Sequence, residues 1–311
     1  MRDAVTYRFD PLPACDMCGA PESAFIVLGR RLNRSQGPWP RRRTGIATTI
    51  CRCAGCGLVF ANPQPVPPSL GVHYDVPPEA YLNYQTMAAA EERFADEFAW
   101  LERLMPVHPG MRSLDIGAGI GLQMTAMARH GFDAYGLEPS EPFYRHAIEK
   151  TGIPADKLAL ASAETGAYPP DYFDVISFGA VLEHLRSPSA NLARALEWLK
   201  PGGLMFAEVP SARWLISRMA NVFYRATGTD YVANLSPMHA PFHLFEFTLE
   251  AFIRHGAAAG YVVADHRHFV CSTYLPGILG SVAARWMQAT DTGMQLGVWL
   301  KKPHQPGASP R

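Results

Sequence analysis

Residues 113–124 read Ser-Leu-Asp-Ile-Gly-Ala-Gly-Ile-Gly-Leu-Gln-Met. A short apolar strand runs into three glycines and leaves as an amphipathic segment. A strand that turns on glycine into a helix brings its backbone close to whatever lies at the turn. The spacing excludes two familiar uses. A dinucleotide turn needs Gly-x-Gly-x-x-Gly, and the third position here is Leu122, the last glycine coming early at Gly121. A phosphate loop needs Gly-Lys-Ser/Thr, which does not follow.

Two carboxylates narrow the ligand further. Asp115 sits two residues before Gly117. An acid there repels a pyrophosphate and suits a cation. The next strand, within Phe-Asp-Ala-Tyr-Gly-Leu-Glu-Pro-Ser, ends in Glu138. An acid at that strand end is placed to accept hydrogen bonds from both hydroxyls of a ribose. A ribose joined to an ammonium-bearing part, without a phosphate chain, describes S-adenosylmethionine (SAM).

The remainder of the chain extends the pattern. Residues 86–105 carry Phe94, Phe98, Leu101 and Met105 at helical spacing. After the glycine turn comes a helix stopped by Gly131, then the strand to Glu138 and a helix to Gly152. Strands follow at Leu-Ala-Leu-Ala-Ser-Ala-Glu and Phe-Asp-Val-Ile-Ser-Phe-Gly-Ala-Val. A helix with Ser187 or Ser189 as N-cap ends at Pro-Gly-Gly, and a fifth strand reaches Ser211. Two late strands, Tyr-Val-Val-Ala-Asp-His-Arg-His-Phe-Val and Met-Gln-Leu-Gly-Val-Trp-Leu-Lys-Lys-Pro, fit an antiparallel edge pair joined by an irregular stretch. The alternation predicts an α/β fold: a doubly wound, mostly parallel, seven-stranded sheet. Residues 211–243 interrupt it as an aromatic, histidine-rich insertion of the kind that forms lids or binding loops.

These motifs resemble those of class I SAM-dependent methyltransferases. Leu-Asp-Ile-Gly-Ala-Gly-Ile-Gly matches the family's Asp/Glu-x-Gly-x-Gly-x-Gly signature. Gly-Leu-Glu-Pro-Ser matches its ribose-binding acid, and residues 173–188 and 199–210 match its later motifs. The resemblance covers residues 110–300 and implies a Rossmann-like fold and site roles. Asp115, Gly117, Ala118, Gly119 and Gly121 would surround the methionine part. Glu138 and Pro139 would hold the ribose. Ser162, Ala163 and Glu164 would flank the adenine, with Ser162 where the family often has Asp. Phe178 and Gly179 would face the sulfonium.

The N-terminal region carries different chemistry. Cys15-Asp-Met-Cys18-Gly and Cys53-Ala-Gly-Cys56-Gly are two Cys-x-x-Cys-Gly knuckles, the spacing of a structural zinc site with Cys15, Cys18, Cys53 and Cys56 as ligands. Cys51 is a spare beside them, and Cys271 reads as a core thiol. All four positions filled by protein make such a zinc structural rather than catalytic. Residues 51–65 also resemble the zinc ribbon preceding some bacterial methyltransferases, including deoxysugar C-methyltransferases, here without their C-terminal domain. The divisions expected are a zinc ribbon at 1–62, a proline-rich linker at 63–79, the SAM-binding domain at 80–302 and a flexible tail at 303–311. Arg30, Arg31, Arg34 and Arg41 to Arg43 lie between the knuckles. They read as a solvated loop, with a phosphate-binding patch as the alternative.

Methyl transfer is an in-line displacement, and an alcohol, phenol or enolisable carbon acceptor calls for a base. The histidines near the strand ends are His184, His239 and His243. In the deoxysugar enzymes a Glu-His pair carries proton transfer. His243 matches its histidine, and its neighbour is Phe242 in place of the glutamate. Tyr224 and Tyr231 could line an acceptor pocket, and His266 and His268 read as surface residues. The predicted activity is methyl transfer to a small molecule, a sugar or secondary metabolite. An RNA acceptor gripped by the ribbon and a non-catalytic SAM-binding protein are the alternatives. Lys plus Arg equals Asp plus Glu at 28 each, so the chain lacks a global positive field for nucleic acid. No apolar run reaches the length of a membrane span and no secretory leader is visible, so the chain reads as cytoplasmic, with free or metal-bound thiols.

Overall fold

The computed structural model describes residues 7–31, 48–66, 87–235, 243–271, 273 and 275–304. His239, Arg34, Arg41 to Arg43, most of the expected linker and most of the tail lie outside them.

The main sheet has seven strands. In chain order they are β6 (Arg112–Ile116), β7 (Asp133–Leu137), β8 (Leu158–Ala159), β9 (Phe173–Gly179), β10 (Leu199–Pro210), β13 (Val262–Phe269) and β14 (Gln295–Lys301). Their order across the sheet is β13-β14-β10-β9-β6-β7-β8. Strands β6 to β10 pair in parallel, and β14 runs antiparallel between β10 and β13. The expected mixed sheet is therefore present. The expected strand at Leu158 is only two residues long.

Helices cover both faces: α1 (Met87–Leu104), α2 (Leu122–Arg129), α3 (Glu141–His146), α4 (Pro188–Trp198), α5 (Leu215–Ala226), α6 (Leu249–Ala259) and α7 (Gly277–Ala289). Helix α2 stops where the chain turns left-handed at Gly131, φ 87°. Helix α7 corrects one expectation: the late strands are joined by a helix, not an irregular stretch. The 211–243 insertion likewise begins with a helix, α5.

A second sheet holds β2 (Phe25–Arg31), β3 (Thr49–Cys53) and β4 (Val59–Ala61). Its edges come from far along the chain. Strand β11 (Tyr231–Val232) pairs with β2, and β12 (Phe245–Glu246) pairs with β4. Strands β1 (Arg8–Asp10) and β5 (Gln64–Val66) form a small antiparallel pair, so the expected linker begins as strand. One continuous core runs from Ile50, Leu58 and Phe60 through Phe245, Phe247 and Phe252 to Ile176 and Phe178. A second core, with Trp100, Leu101, Phe206 and Trp299, packs α1 against the other face of the main sheet. Each of these side chains contributes roughly 1.5–3 kcal/mol on burial.

Candidate functional site

The glycine turn is held by the end of the neighbouring strand. Gly117 and Ala118 both donate to the Leu137 carbonyl, at 2.8 and 2.9 Å. Gly117, Gly119 and Gly121 all have positive φ, at 76°, 56° and 81°. The three are not equivalent. A Cβ at Gly117 would lie 2.5 Å from Val181, and one at Gly121 would lie 2.6 Å from Ile153. A Cβ at Gly119 would meet nothing within 4 Å. Two of the glycines serve close packing, and the middle one faces open space where a ligand can approach.

Glu138 ties the turn together. One carboxylate oxygen accepts from the Gly119 N–H at 2.7 Å, and the other accepts from the Ser140 N–H at 2.7 Å. Each oxygen keeps a second lone pair for a hydroxyl donor. Burial pushes this carboxyl above its usual range, while the two N–H donors pull it back. Pro139, between these contacts, is half-buried. Asp115, one residue before the end of β6, accepts from the Ser177 hydroxyl at 2.9 Å, which fixes its carboxylate.

Gly179 ends β9 and is half-buried. Phe178 is fully buried and its side chain packs into the main core; neighbouring side chains on a strand point to opposite faces. Ala180 follows with φ 56°, an uncommon conformation for alanine. At the adenine position, the Ser162 N–H donates to the Thr165 hydroxyl at 3.0 Å, and its carbonyl accepts from Gly166 at 2.8 Å. Ser162 thus opens a tight turn, with Ala163 buried and Glu164 exposed.

Between α1, α2 and the sheet lies a cleft. Phe94, Phe98, Gln123, Met127, Ser177 and Phe206 line it. Ser177 and Gln123 connect it to the Asp115 carboxylate and to Gly179.

The turn after β9 carries His184, and the segment before β12 carries His243. Their rings meet edge to face with centroids 4.8 Å apart. Glu183 joins them: ligand atoms of Glu183, His184 and His243 all lie within 4.8 Å of one another. One Glu183 oxygen is 3.9 Å from His184 Nε2, and the other has no partner among the described residues. Burial, with a smaller push from Glu208, raises Glu183 to about 8. Sequence reasoning named the two histidines and missed Glu183. The missing signal is spatial. The acid absent beside His243, where Phe242 stands, is supplied from sixty residues upstream.

The four cysteines also converge. Cys15 Sγ and Cys56 Sγ are 3.6 Å apart, as are Cys18 Sγ and Cys53 Sγ. All four sulfurs lie within 4.8 Å of one another. Tetrahedral thiolates about 2.3 Å from a zinc ion stand about 3.8 Å apart, so the donor set fits that metal and not disulfides. Cys51, on β3, is not part of the cluster. Cys271 is exposed, contrary to its reading as a core thiol. The His268 imidazole is 3% exposed beside Asp291, so it is not a surface residue. Arg31 is fully buried and donates to the Leu235 carbonyl at 2.8 Å, while Arg30 pairs with Asp230. These two arginines hold structure. Tyr231 lies beside Arg30 in β11, and Tyr224 is half-buried.

Residues 89–266 match the family described as a methyltransferase domain. The chain belongs to that family and carries a class I SAM-dependent methyltransferase domain. It is similar to the ubiquinone biosynthesis O-methyltransferase of Burkholderia multivorans, 29% identical over 165 residues, which are 52% of this chain and 66% of that protein. The protein of the same name in Paramagnetospirillum magneticum is 31% identical over 160 residues, 50% of this chain and 61% of that one. The matches thus span just under two thirds of those relatives. A Haloferax volcanii structure, described as the Trm112 methyltransferase activator in complex with a methyltransferase, superposes with a TM-score of 0.51 at 17% identity. It covers 73% of this chain and 98% of that one, a likeness of fold.

Proposed function

We propose that this protein transfers the methyl group of SAM to a hydroxyl of a small organic acceptor, a sugar or secondary metabolite. The observation that carries the reading is the Glu183, His184 and His243 cluster. It stands directly after the strand that ends in Gly179, and Val181 of the same turn packs on Gly117. When bound, SAM supplies an electrophilic methyl on a sulfonium. The Gly117 to Gly121 turn and Asp115 hold its methionine part, and Glu138 holds its ribose. A hydroxyl attacks only as it loses its proton, and an imidazole at the strand ends is suited to take it. The second imidazole and the buried Glu183 pack beside the first and hold it in place. Relatives named O-methyltransferases support oxygen as the acceptor atom. The cysteine cluster would hold a structural zinc.

The test is the pair of variants His184→Ala and His243→Ala, assayed with a panel of phenolic and sugar acceptors. Loss of the base lowers kcat by about 10²–10⁴-fold while SAM affinity is kept. Unchanged kcat in both variants, or a methyl found on carbon in the product, overturns the reading.

A further inference from the structure

Large exposed apolar side chains are unevenly spread over this molecule. Eight of fourteen among the described residues fall in two segments, 219–223 and 275–286. The rest are scattered singly or in pairs, as on most soluble proteins. Helix α5 presents Met219, Val222 and Phe223, the last two 67% and 63% exposed. Helix α7 presents Ile278, Val282 and Trp286, at 82%, 59% and 62%. The spacings of three and four residues make each set a stripe on one helix face. An aliphatic or aromatic stripe in water is costly unless something covers it.

The two helices spring from one place. Strand β10 ends at Pro210, in register with Gln295, where β14 begins, and Phe269, where β13 ends, also pairs with Gln295. Both helices therefore emerge at the carboxyl edge of the sheet, the edge that carries Gly117, Glu138 and Gly179. They are tied together there. Leu215 N–H donates to the Thr292 carbonyl at 3.1 Å, and the Arg213 guanidinium donates to the Thr290 carbonyl at 3.3 Å.

Charge decides what covers them. Residues 211–229 contain Arg213, Arg218 and Arg225 and no acid, and residues 275–290 contain Arg285 and no acid. All four arginines are exposed. The acids that follow, Asp230 and Asp291, stand beside Arg30 and His268. In a chain whose charges balance, the charged residues of these two helices are all cations. A second copy of the same face would bring like charges together. An anionic bilayer offers both an apolar interior for the stripes and phosphates for the guanidiniums.

We infer that α5 and α7 form a docking surface for an anionic lipid membrane at the mouth of the site. The helices lie on the interface and do not cross it; no helix among the described residues is long and apolar enough to span. A lipophilic acceptor would then enter the site from the bilayer.

The test is co-sedimentation of the purified, zinc-loaded protein with vesicles of phosphatidylcholine alone and of phosphatidylcholine mixed with phosphatidylglycerol. The expected result is partition onto the anionic vesicles only, reduced by salt. The double variants Phe223→Ser/Trp286→Ser and Arg218→Glu/Arg285→Glu should each lower that partition about tenfold or more. Their thermal unfolding and SAM affinity should match the parent, since these side chains are exposed. Equal binding to neutral vesicles overturns the charge argument and with it the proposal. Absence of vesicle binding overturns it too, whether the protein is a monomer or a dimer that the apolar double variant dissociates.

Discussion

The glycine turn and the cysteine cluster are both built on short turns after strands, yet they are held in opposite ways. The turn at Gly117 to Gly121 is secured by neighbours in sequence: Leu137 and Glu138 lie within about one strand-turn-helix unit of it. The cysteine-bearing sheet is secured by residues from the far end of the chain. Asp16, inside the first knuckle, accepts from the Ser189 N–H at 2.8 Å at the start of α4, a favourable place for an acid. The Cys56 carbonyl, in the second knuckle, accepts from Thr248. Arg31 reaches Leu235, and Leu235 and Asn234 donate to Glu246. Strands β11 and β12, which close this sheet, bracket the segment that carries His243. The N-terminal sheet is thus a scaffold for one side of the proposed active site, whereas the cofactor turn needs no such support.

That contrast can be broken by experiment. The largest effect is expected from Cys15→Ser. Structural zinc in small domains is worth on the order of 10 kcal/mol or more, so losing one ligand should strip the metal and melt the N-terminal sheet. Methyl transfer should fall with it, while SAM binding by the main sheet survives; zinc analysis with calorimetry on the same sample reads both. A full zinc complement would remove the four-thiolate assignment. Next is Glu246→Ala. Burial pushes Glu246 up to about 7 and Arg31 down to about 10, and the charge of each opposes the other's shift. Removing one partner leaves the other buried, at a cost of about 3–5 kcal/mol in denaturant unfolding. A loss below about 1 kcal/mol would mean that the far end of the chain does not secure the N-terminal sheet through this site.

Glu138→Ala addresses the locally built half. It should weaken SAM binding by about 1.5–3 kcal/mol for each hydroxyl bond lost, with zinc content unchanged. Unaltered affinity contradicts the ribose role. The smallest effect, taken per pH unit, is on pH dependence. Glu183 holds its proton up to about 8, above its ordinary unfolded value, so its contribution to stability is complete below that value and is lost as pH rises through about 8. Glu183→Gln removes this dependence, flattening the stability curve between pH about 5 and 8 by at most about 1.4 kcal/mol per pH unit. Parallel urea curves for parent and variant across that range would count against a buried acid beside the histidines.

The same division explains what the sequence made legible. Strand, turn and helix from Arg112 to Glu138 are contiguous, and each glycine acts on near neighbours, so their arrangement could be read directly. A mostly parallel sheet with an antiparallel pair at one edge followed from the alternation of strands and helices. Strands β11 and β12 could not be read, since two-residue strands exist only through partners some 170–200 residues away. Helix α7 opens on Gly277 and contains Gly280, which disguises a helix as a loop. Phe178 was placed at the ligand from its position at a strand end, but strand alternation turns it into the core. Glu183 reads as an ordinary charged turn residue until burial and two histidines surround it.

The most direct test of the central claim is incubation of the purified protein with methyl-labelled SAM and a cell extract separated into small-molecule and RNA fractions. The account predicts label in a small molecule, lost in His184→Ala/His243→Ala and stable to base as an ether. Label in RNA, or SAM bound with no label transferred to either fraction, would contradict it.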